Sequence, residues 1–229
     1  MNPIVVKFGG SSLATAGQFE KVAAIIRENP GRRYVVASAP GKRFSGDTKV
    51  TDLLYRCYDA ACAGQDFAPV LDEIRQRFAD IIFELQLQVD LTPDFAAIEA
   101  HLRTSPQRDY MASRGEYLNS RLLAAYLGFS FVDAAQMVLF RADGSFDAEA
   151  TNTAIGHALV SIDCAVIPGF YGAMPDGSIR VLTRGGSDVT GALAAAALDA
   201  DVYENWTDVS GILMADPRIV DDPDTIERI

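Results

Sequence analysis

A lysine lies near the end of an apolar run at the start of the chain, and two glycines follow directly. The run Ile4–Phe8 is typical of a buried strand, and Lys7 lies inside it, just before Gly9-Gly10. Burying an ammonium is costly unless an anion meets it. Glycines let a ligand approach the backbone and leave N–H groups free to bind it. A helix predicted over 15–29 adds the positive end of its dipole, so the segment favours phosphate binding.

An ordinary strand-to-helix turn, with a lysine that extends to solvent, explains the same residues equally well. A P-loop is excluded, because that motif places its lysine after the glycines and follows it with Ser or Thr. The dinucleotide pattern G-x-G-x-x-G is also missing. Other parts of the chain therefore have to decide between phosphate binding and a simple turn.

The composition limits the class of protein. A chain of 229 residues can form one large α/β domain with a substantial core, and its length alone also permits two small domains. The net charge of −11 argues against a nucleic-acid surface. An acidic protein that binds anionic ligands must gather its few cations locally, so the lysines and arginines inside motifs carry more weight than the total.

The cysteines and the hydropathy pattern indicate a reducing compartment. The three cysteines, Cys57, Cys62 and Cys164, are odd in number and lack C-x-x-C spacing. Lys7 interrupts the first apolar run, so we expect no signal peptide. No apolar stretch is long enough to cross a membrane. We therefore expect a cytoplasmic protein, with Cys57 and Cys62 as core filler.

Short β-rich runs alternate with longer amphipathic ones, which predicts a mostly parallel sheet covered on both faces. The predicted strands are Ile4–Phe8, Tyr34–Ser38, Phe129–Val132, Val138–Phe140, Cys164–Ile167, Ile179–Leu182, Val202–Asn205 and Gly211–Met214. The predicted helices are 15–29, 50–63, 68–89, 94–103, 108–127, 147–160 and 187–199.

Three segments depart from this alternation. The turn Pro175-Asp176-Gly177 predicts a hairpin, so part of the sheet is expected to be antiparallel. Residues 64–110 look purely helical, which suits a lid or a dimerisation element. Residues 222–225 resemble a helix start, yet only four residues follow Thr225, so we expect the chain to be a fragment that ends inside its domain.

A second glycine-rich motif follows a predicted strand and opens an Ala-rich helix. Arg184 precedes Gly185-Gly186, and Ser187 and Asp188 come next. Either Ser187 or Asp188 can cap the helix. Arg184 exceeds what capping needs, because a guanidinium beside glycines can bind a carboxylate in bidentate fashion. We expect Asp188 to be ionised and able to orient Mg²⁺ or the Lys7 ammonium.

A third motif follows the end of another predicted strand. Thr207-Asp208 lies where open α/β sheets bind ligands, and Arg218 supplies a cation for a polyphosphate. Core packing explains the neighbouring Trp206 equally well. A plain turn explains Asp216-Pro217 better when it is taken alone.

Two further segments have equally ordinary interpretations. Glu116, in Ser113-Arg114-Gly115-Glu116, lies early in a predicted helix, where a glutamate usually caps or faces solvent. Ser38 and Thr51 flank a loop after the second strand, and helix capping alone would explain Thr51.

Taken in chain order, these segments resemble the amino acid kinase family, and within it the aspartate kinases. The resemblance spans nearly the whole chain and rests on Lys7-Phe8-Gly9-Gly10-Ser11-Ser12, Ser38-Ala39, Val50-Thr51-Asp52, Ser113-Arg114-Gly115-Glu116, Arg184-Gly185-Gly186-Ser187-Asp188, Trp206-Thr207-Asp208-Val209 and Asp216-Pro217-Arg218. It implies an α/β fold, a three-layer αβα sandwich around a mostly parallel sheet of about eight strands. It also implies that residues 1–229 are a catalytic domain that is incomplete at its C-terminus and lacks the family's regulatory ACT modules.

The resemblance implies ATP-dependent phosphorylation of the side-chain carboxylate of L-aspartate, giving 4-phospho-L-aspartate, the first step towards lysine, threonine and methionine. That carboxylate is ionised at neutral pH, so the reaction needs no general base. His101 and His157, the two histidines, lie outside every motif. Mg²⁺ would be carried mainly by the nucleotide phosphates, without a separate metal site on the protein.

The resemblance also implies roles for individual residues. Catalysis would depend on Lys7, Gly10 and Asp188. Aspartate would be bound by Ser38, Thr51, Glu116, Arg184 and Ser187, with Arg184 on the α-carboxylate and Glu116 on the α-ammonium. The nucleotide would be bound by Lys7, Phe8, Gly9, Gly10, Ser11, Thr207, Asp208, Leu213, Asp216 and Arg218.

Two other functions remain open from the sequence. A sister amino acid kinase would act on another small carboxylate or carbamate, although the pair Glu116 and Arg184 favours an α-amino acid. A non-catalytic module would bind nucleotide without turnover. In each case we expect small-molecule ligands, no nucleic acid and no membrane, and a homo-oligomer for the full-length protein.

Overall fold

The computed structural model describes residues 2–183, 185–207, 214 and 219–221. In this part of the chain the strands are β1 (Ile4–Phe8), β2 (Arg32–Ala37), β3 (Ser130–Phe131), β4 (Ala165–Pro168), β5 (Tyr171–Ala173), β6 (Ile179–Val181) and β7 (Val202–Trp206). The α-helices are α1 (Ala16–Glu28), α2 (Val50–Cys62), α3 (Ala68–Glu84), α4 (Thr92–Thr104), α5 (Arg108–Leu127), α6 (Ala148–Leu159) and α7 (Gly186–Ala197).

The central sheet is parallel, with strand order β3-β4-β2-β1-β7. The first strand therefore lies between its sequence neighbour β2 and the distant β7. Chain direction across the sheet reverses at this point, and open α/β sheets form their ligand crevice at the carboxyl ends of the strands there. The topology therefore predicts that ligand-binding residues follow β1, β2 and β7.

Alternation along the strands divides the core into two layers. Val6 and Phe8 of β1 pack with α1 to α5, whereas Val5 packs with α6 and α7. Successive strand side chains point to opposite faces, so Lys7 shares the α7 face with Val5. The predicted α/β sandwich with a mostly parallel sheet is confirmed.

The sheet has five strands in the described part of the chain, fewer than the family resemblance implies. The hairpin predicted at residues 175–177 is confirmed, but β5 and β6 form a separate two-stranded antiparallel sheet. The predicted strand Val138–Phe140 is wrong, because Leu139 and Phe140 make only isolated bridges. The predicted strand Gly211–Met214 falls largely outside the described residues.

The segment between α2 and α5 is helical, as its sequence suggests, but its first helix is shorter than predicted. Helix α3 ends at Glu84, because Gln86 takes a left-handed conformation with φ of 53°. The apolar residues Leu85, Leu87 and Val89 continue the hydrophobic pattern beyond that turn and pack against the core. None of the helices described combines the length and hydropathy needed to cross a bilayer.

Candidate active site

A cavity of about 620 Å³ opens at the carboxyl edge of the sheet, beside the ends of β1, β2 and β7. Its walls come from four parts of the chain that are distant in sequence. The lining residues are Gly9, Gly10, Ser11, Ser38, Ala39, Pro40, Gly41, Lys42, Phe44, Ser45, Lys49, Thr51, Glu116 and Thr207. The structure thus brings together seven residues that the sequence proposed for the site: Gly9, Gly10, Ser11, Ser38, Thr51, Glu116 and Thr207.

Lys7 and Asp188 form an ion pair next to this cavity. The Lys7 Nζ atom lies 2.6 Å from Asp188 Oδ1, and the lysine side chain is 10% exposed against 47% for the aspartate. Asn205, the β7 neighbour of Lys7, donates to the same oxygen from Nδ2 at 3.2 Å. The strand thus holds a largely desolvated ammonium beside a carboxylate that faces solvent.

The backbone after Lys7 is packed more tightly at Gly10 than at Gly9. The Gly41 N–H donates to the Gly10 carbonyl at 2.8 Å. A Cβ atom on Gly10 would lie 2.6 Å from the Ala39 carbonyl oxygen, whereas one on Gly9 would lie 3.8 Å from Lys7 Nζ. Glycine at position 10 is therefore required by a backbone contact, and glycine at position 9 keeps the space before the ammonium open.

Glu116 is the buried carboxyl group of the cavity. Glu116 is only 6% exposed, and its Oε2 atom has no hydrogen-bond partner among the described residues. Burial raises the pKa of Glu116 to about 8, partly opposed by a hydrogen bond from the Ala39 backbone. Gly115 permits this position, because a Cβ atom there would lie 2.7 Å from Ala39 Cβ. An interpretation of Glu116 as a helix cap or a solvated residue is wrong.

Ser38 and Thr51 lie at the two ends of the loop that borders the cavity. Asn119 fixes the serine backbone by donating from Nδ2 to the Ser38 carbonyl at 2.7 Å. Helix α2 begins at Val50 with Lys49 as its N-cap, so Thr51 is in the first turn and does not cap the helix. Capping therefore does not explain Thr51, which faces the cavity instead.

The start of α7 brings Asp188 to Lys7. Gly185 is the N-cap residue, with φ of 82°, and no side chain among the described residues caps this helix end. The prediction that Ser187 or Asp188 caps the helix is wrong. Ser187 packs against the residue after β4 instead, since a Cβ atom on Gly169 would lie 2.6 Å from Ser187 Oγ.

The residues proposed for the nucleotide are only partly described. The Phe8 side chain is 1% exposed and stacks with Trp206 in the core, with ring centroids 6.1 Å apart, so it does not face the cavity. Core packing of Trp206, the simpler interpretation, agrees with this contact. The other proposed residues that lie outside the described part of the chain are Arg184, Asp208, Leu213, Asp216 and Arg218.

Sequence reasoning missed a group of residues in the loop between β2 and α2. Lys42, Ser45 and Lys49 line the cavity, and the exposed Phe44 lies beside them. The two lysines add positive charge to the cavity lining. The signal that was available is the cluster of cations between Gly41 and Val50 in a chain poor in lysine and arginine.

The described residues do not offer a metal cage. No group of three His, Cys, Asp or Glu side chains comes together within the part of the chain that the structure covers. Asp188, the acidic residue nearest the site lysine, already uses Oδ1 for the ion pair with Lys7.

A sequence model described as the amino acid kinase family matches residues 2–229. Aspartokinase 3 of Bacillus subtilis is 35% identical over 98% of this chain and 53% of its own length. The lysine-sensitive aspartokinase 3 of Escherichia coli is 30% identical over 100% of the chain and 54% of its own length. The chain thus spans about half the length of these relatives.

Solved structures give the same picture. The aspartate kinase of Clostridium acetobutylicum superposes with a TM-score of 0.93 at 46% identity, over 99% of this chain and 52% of that one. Aspartokinase III of E. coli, in complex with aspartate and ADP, gives a TM-score of 0.81 at 26% identity, over 98% of this chain and 53% of that one.

Proposed function

Because the chain belongs to the amino acid kinase family, whose model matches residues 2–229, we propose that it transfers the γ-phosphoryl group of ATP to the side-chain carboxylate of L-aspartate. The product is 4-phospho-L-aspartate, and the reaction is the first step towards lysine, threonine and methionine. The relatives reported above are aspartokinases, and one solved relative holds aspartate and ADP.

The observation that carries the proposal is the arrangement of opposite charges around one cavity. The Lys7 ammonium, oriented by Asp188, lies behind the open backbone at Gly9. Glu116 contributes a buried carboxyl oxygen without a partner on another wall of the same cavity. A phosphate suits the first position and an ammonium suits the second, which together describe ATP and an α-amino acid.

The reaction needs positioning and fixed charge rather than proton transfer. A carboxylate oxygen of aspartate attacks the γ-phosphorus of ATP, the bond from that phosphorus to the β,γ-bridging oxygen breaks, and ADP leaves with that oxygen. Both reactants are anionic, so their repulsion is the obstacle. Lys7, next to the cavity, would neutralise charge that spreads over the transferring phosphoryl group, and the Gly10 backbone lines that cavity.

The substrate carboxylate would approach from the side of Thr51 and Ser38. Thr51 faces the cavity from the first turn of α2, where the positive end of the helix also favours an anion. Glu116 would hold the α-ammonium, and in the same scheme Arg184 would hold the α-carboxylate and Ser187 would support it. Thr207, Asp208, Leu213, Asp216 and Arg218 would bind the nucleotide.

Mg²⁺ fits this scheme as a partner of the nucleotide phosphates. The described residues provide no cluster of metal donors, so the nucleotide phosphates would hold the metal ion. The three free cysteines suit a cytoplasmic protein. A homo-oligomer remains our expectation for the full-length protein.

A coupled assay for ADP formation on the full-length gene product tests the proposal. We expect ADP formation that depends on L-aspartate. Turnover with another small carboxylate or with carbamate, and none with aspartate, would identify a sister amino acid kinase. Binding of ADP without turnover of any acceptor would instead identify a non-catalytic nucleotide-binding module.

A further inference from the structure

A buried arginine on α3 contacts both ends of the cavity loop, which we define as residues 41–49. Arg77 is 4% exposed. Its Nη2 atom donates to the Gly41 carbonyl at 2.7 Å, and its Nη1 atom donates to the Thr48 carbonyl at 2.5 Å. The loop has no helix or strand of its own between these two points. One guanidinium thus joins the two ends of the loop, beside the backbone hydrogen bond from the Val50 N–H to the Pro40 carbonyl at 3.2 Å.

A buried carboxylate stabilises this arrangement. The Asp47 side chain is 4% exposed, and its Oδ2 atom lies 3.4 Å from Arg77 Nη2. Arg43 donates to the same carboxylate from Nε at 2.8 Å and from Nη2 at 2.9 Å. These hydrogen bonds hold the pKa of Asp47 below its usual range. Since Asp47 keeps a bidentate partner in Arg43, loss of Arg77 does not leave a buried charge unpaired.

The loop end held by Arg77 is in direct contact with the backbone that follows Lys7. The same Gly41 residue that accepts from Arg77 donates its N–H to the Gly10 carbonyl. A Cβ atom on Gly41 would lie 2.7 Å from the Gly10 carbonyl carbon, so the two backbones touch without spare room. A shift of Gly41 therefore moves either Gly10 or the hydrogen bond that joins them.

We propose that Arg77 is a positioning residue, which holds the cavity loop against Gly10 so that Lys42, Ser45 and Lys49 line the cavity. The assignment rests on the proposed function for the identity of the bound phosphate, but the loop geometry itself does not. Arg77 reaches the site only through the carbonyls of Gly41 and Thr48, so it is not a catalytic residue.

A purely structural role for Arg77 makes a different prediction. A general loss of stability lowers the fraction of folded enzyme and hence kcat, and leaves both KM values unchanged. Displacement of the loop instead weakens binding of the nucleotide. Ser38 and Thr51, proposed above for the substrate carboxylate, lie at the two ends of the same loop, so the KM for aspartate should rise as well.

The test compares Arg77→Met and Arg77→Lys with Arg75→Met in the full-length protein. Arg75 lies on the same helix and pairs with Asp72 and Glu99, away from the cavity. Three quantities are measured: hydrogen–deuterium exchange of the amides of residues 41–49, the Kd for Mg²⁺-ADP by calorimetry, and the KM values for ATP and aspartate. For Arg77→Met we expect faster loop exchange, and an ADP Kd, an ATP KM and an aspartate KM that are each raised about tenfold.

The variants separate the possible outcomes. Arg77→Lys retains the charge but loses the planar fork, so intermediate values are expected, and Arg75→Met should match the unmodified protein. If Arg77→Met does not fold, the Lys variant carries the same three measurements. Unchanged loop exchange and ADP affinity in the folded Arg77 variants overturn the assignment. If the unmodified protein lacks aspartate-dependent turnover, the exchange and ADP measurements still decide the role of Arg77.

Discussion

At the scale of single residues, Lys7 concentrates positive charge in a molecule whose net charge is −11. Its place on β1 follows from alternation, since Val6 and Phe8 occupy the opposite face of the sheet. The carboxylate of Asp188 offsets the cost of desolvating the ammonium. The Asp188 side chain is 47% exposed, so its negative charge stays partly solvated. A nucleotide phosphate could therefore bind the same ammonium without two buried negative charges beside each other.

Replacing Lys7 with alanine should therefore reduce transition-state stabilisation more than it reduces folding. We expect kcat/KM to fall by a factor equivalent to at least ~3 kcal/mol, the scale of a lost electrostatic contact to a developing charge. The measurement is the coupled ADP assay at saturating and limiting ATP. Lys21→Ala, on the exposed face of α1, is the matched control and should be neutral. Near-normal turnover of the Lys7 variant would exclude its proposed role.

Glu116 should make aspartate binding depend on pH in the neutral range. Its pKa of about 8 means that most of the free protein carries a neutral carboxyl at pH 7, whereas an ammonium ligand requires the ionised form. The KM for aspartate should therefore fall as pH rises, by about tenfold per unit from pH 6 and levelling near pH 8. Initial rates at saturating ATP across this range measure the effect.

The variant Glu116→Gln provides the comparison. It should bind aspartate weakly at every pH, with no trend from pH 6 to pH 8. Glu20→Gln, at an exposed position on α1, should keep the trend of the unmodified protein. A constant KM in the unmodified protein would rule out an ionised Glu116 as the ammonium partner.

Folding stability should carry the same signature. The folded pKa of Glu116 is raised above its ordinary value of 4.5, so its favourable contribution is complete below pH 4.5 and is lost as pH rises to about 8. The midpoint of thermal unfolding of Glu116→Gln, relative to the unmodified protein, should therefore increase over this interval. A difference that does not change between pH 4.5 and pH 8 would contradict the raised pKa.

At the scale of elements, the start of α7 depends on a glycine. Gly185 has φ of 82°, a conformation that costs an L-residue with a side chain roughly 1–2 kcal/mol. Gly185→Ala should therefore destabilise the protein by about 1 kcal/mol and also weaken turnover, because Asp188 lies in the first turn of the helix.

Gly156 provides a matched substitution with the opposite sign. It lies inside α6 with ordinary helical φ, and a Cβ atom there meets nothing within 4 Å. Gly156→Ala should stabilise the protein by about 0.5–1 kcal/mol and leave turnover unchanged. Denaturant unfolding of both variants measures the pair. Equal changes in the free energy of unfolding from the two substitutions would show that the left-handed backbone at Gly185 does not require glycine.

Local chemistry predicted some elements well and others poorly. The turn at residues 175–177 was identified because Pro, Asp and Gly favour a turn by themselves, and Gly177 takes φ of 82° as expected. Helix α3 was predicted too long, because the apolar residues after Glu84 pack against the core without helical geometry. The β-rich run Val138–Phe140 failed as a strand because nothing local shows whether a neighbouring strand is present to pair with it.

The site was predicted to a similar extent. Residues with a recognisable motif, such as Thr51 and Glu116, face one cavity as the sequence suggested. Arg77 gave no signal, since its contacts with Gly41 and Thr48 join segments about thirty residues apart along the chain. Every residue has a backbone carbonyl, so the sequence does not show which carbonyls an arginine will bind. Tertiary packing decides that.

At the scale of the whole molecule, nucleotide binding should be visible without turnover. A ligand that binds only the folded state stabilises it by about 2.7 kcal/mol at one hundred times its Kd. For a domain of this size, that amount should raise the unfolding temperature by about 5–10 °C with Mg²⁺-ADP. Scanning calorimetry on the unmodified protein and on Lys7→Ala measures the shift, which should be smaller in the variant. Equal shifts would place the bound phosphates away from Lys7.

The position of β1 between β2 and β7 has a consequence for synthesis on the ribosome. β1 can pair with β2 early, but its other edge waits for a strand encoded near the end of the described sequence. At translation speeds of about 5–20 residues per second, that edge stays open for about ten to forty seconds. During this time the nascent polypeptide exposes unpaired N–H and C=O groups, and a molecular chaperone or another emerging strand competes for them.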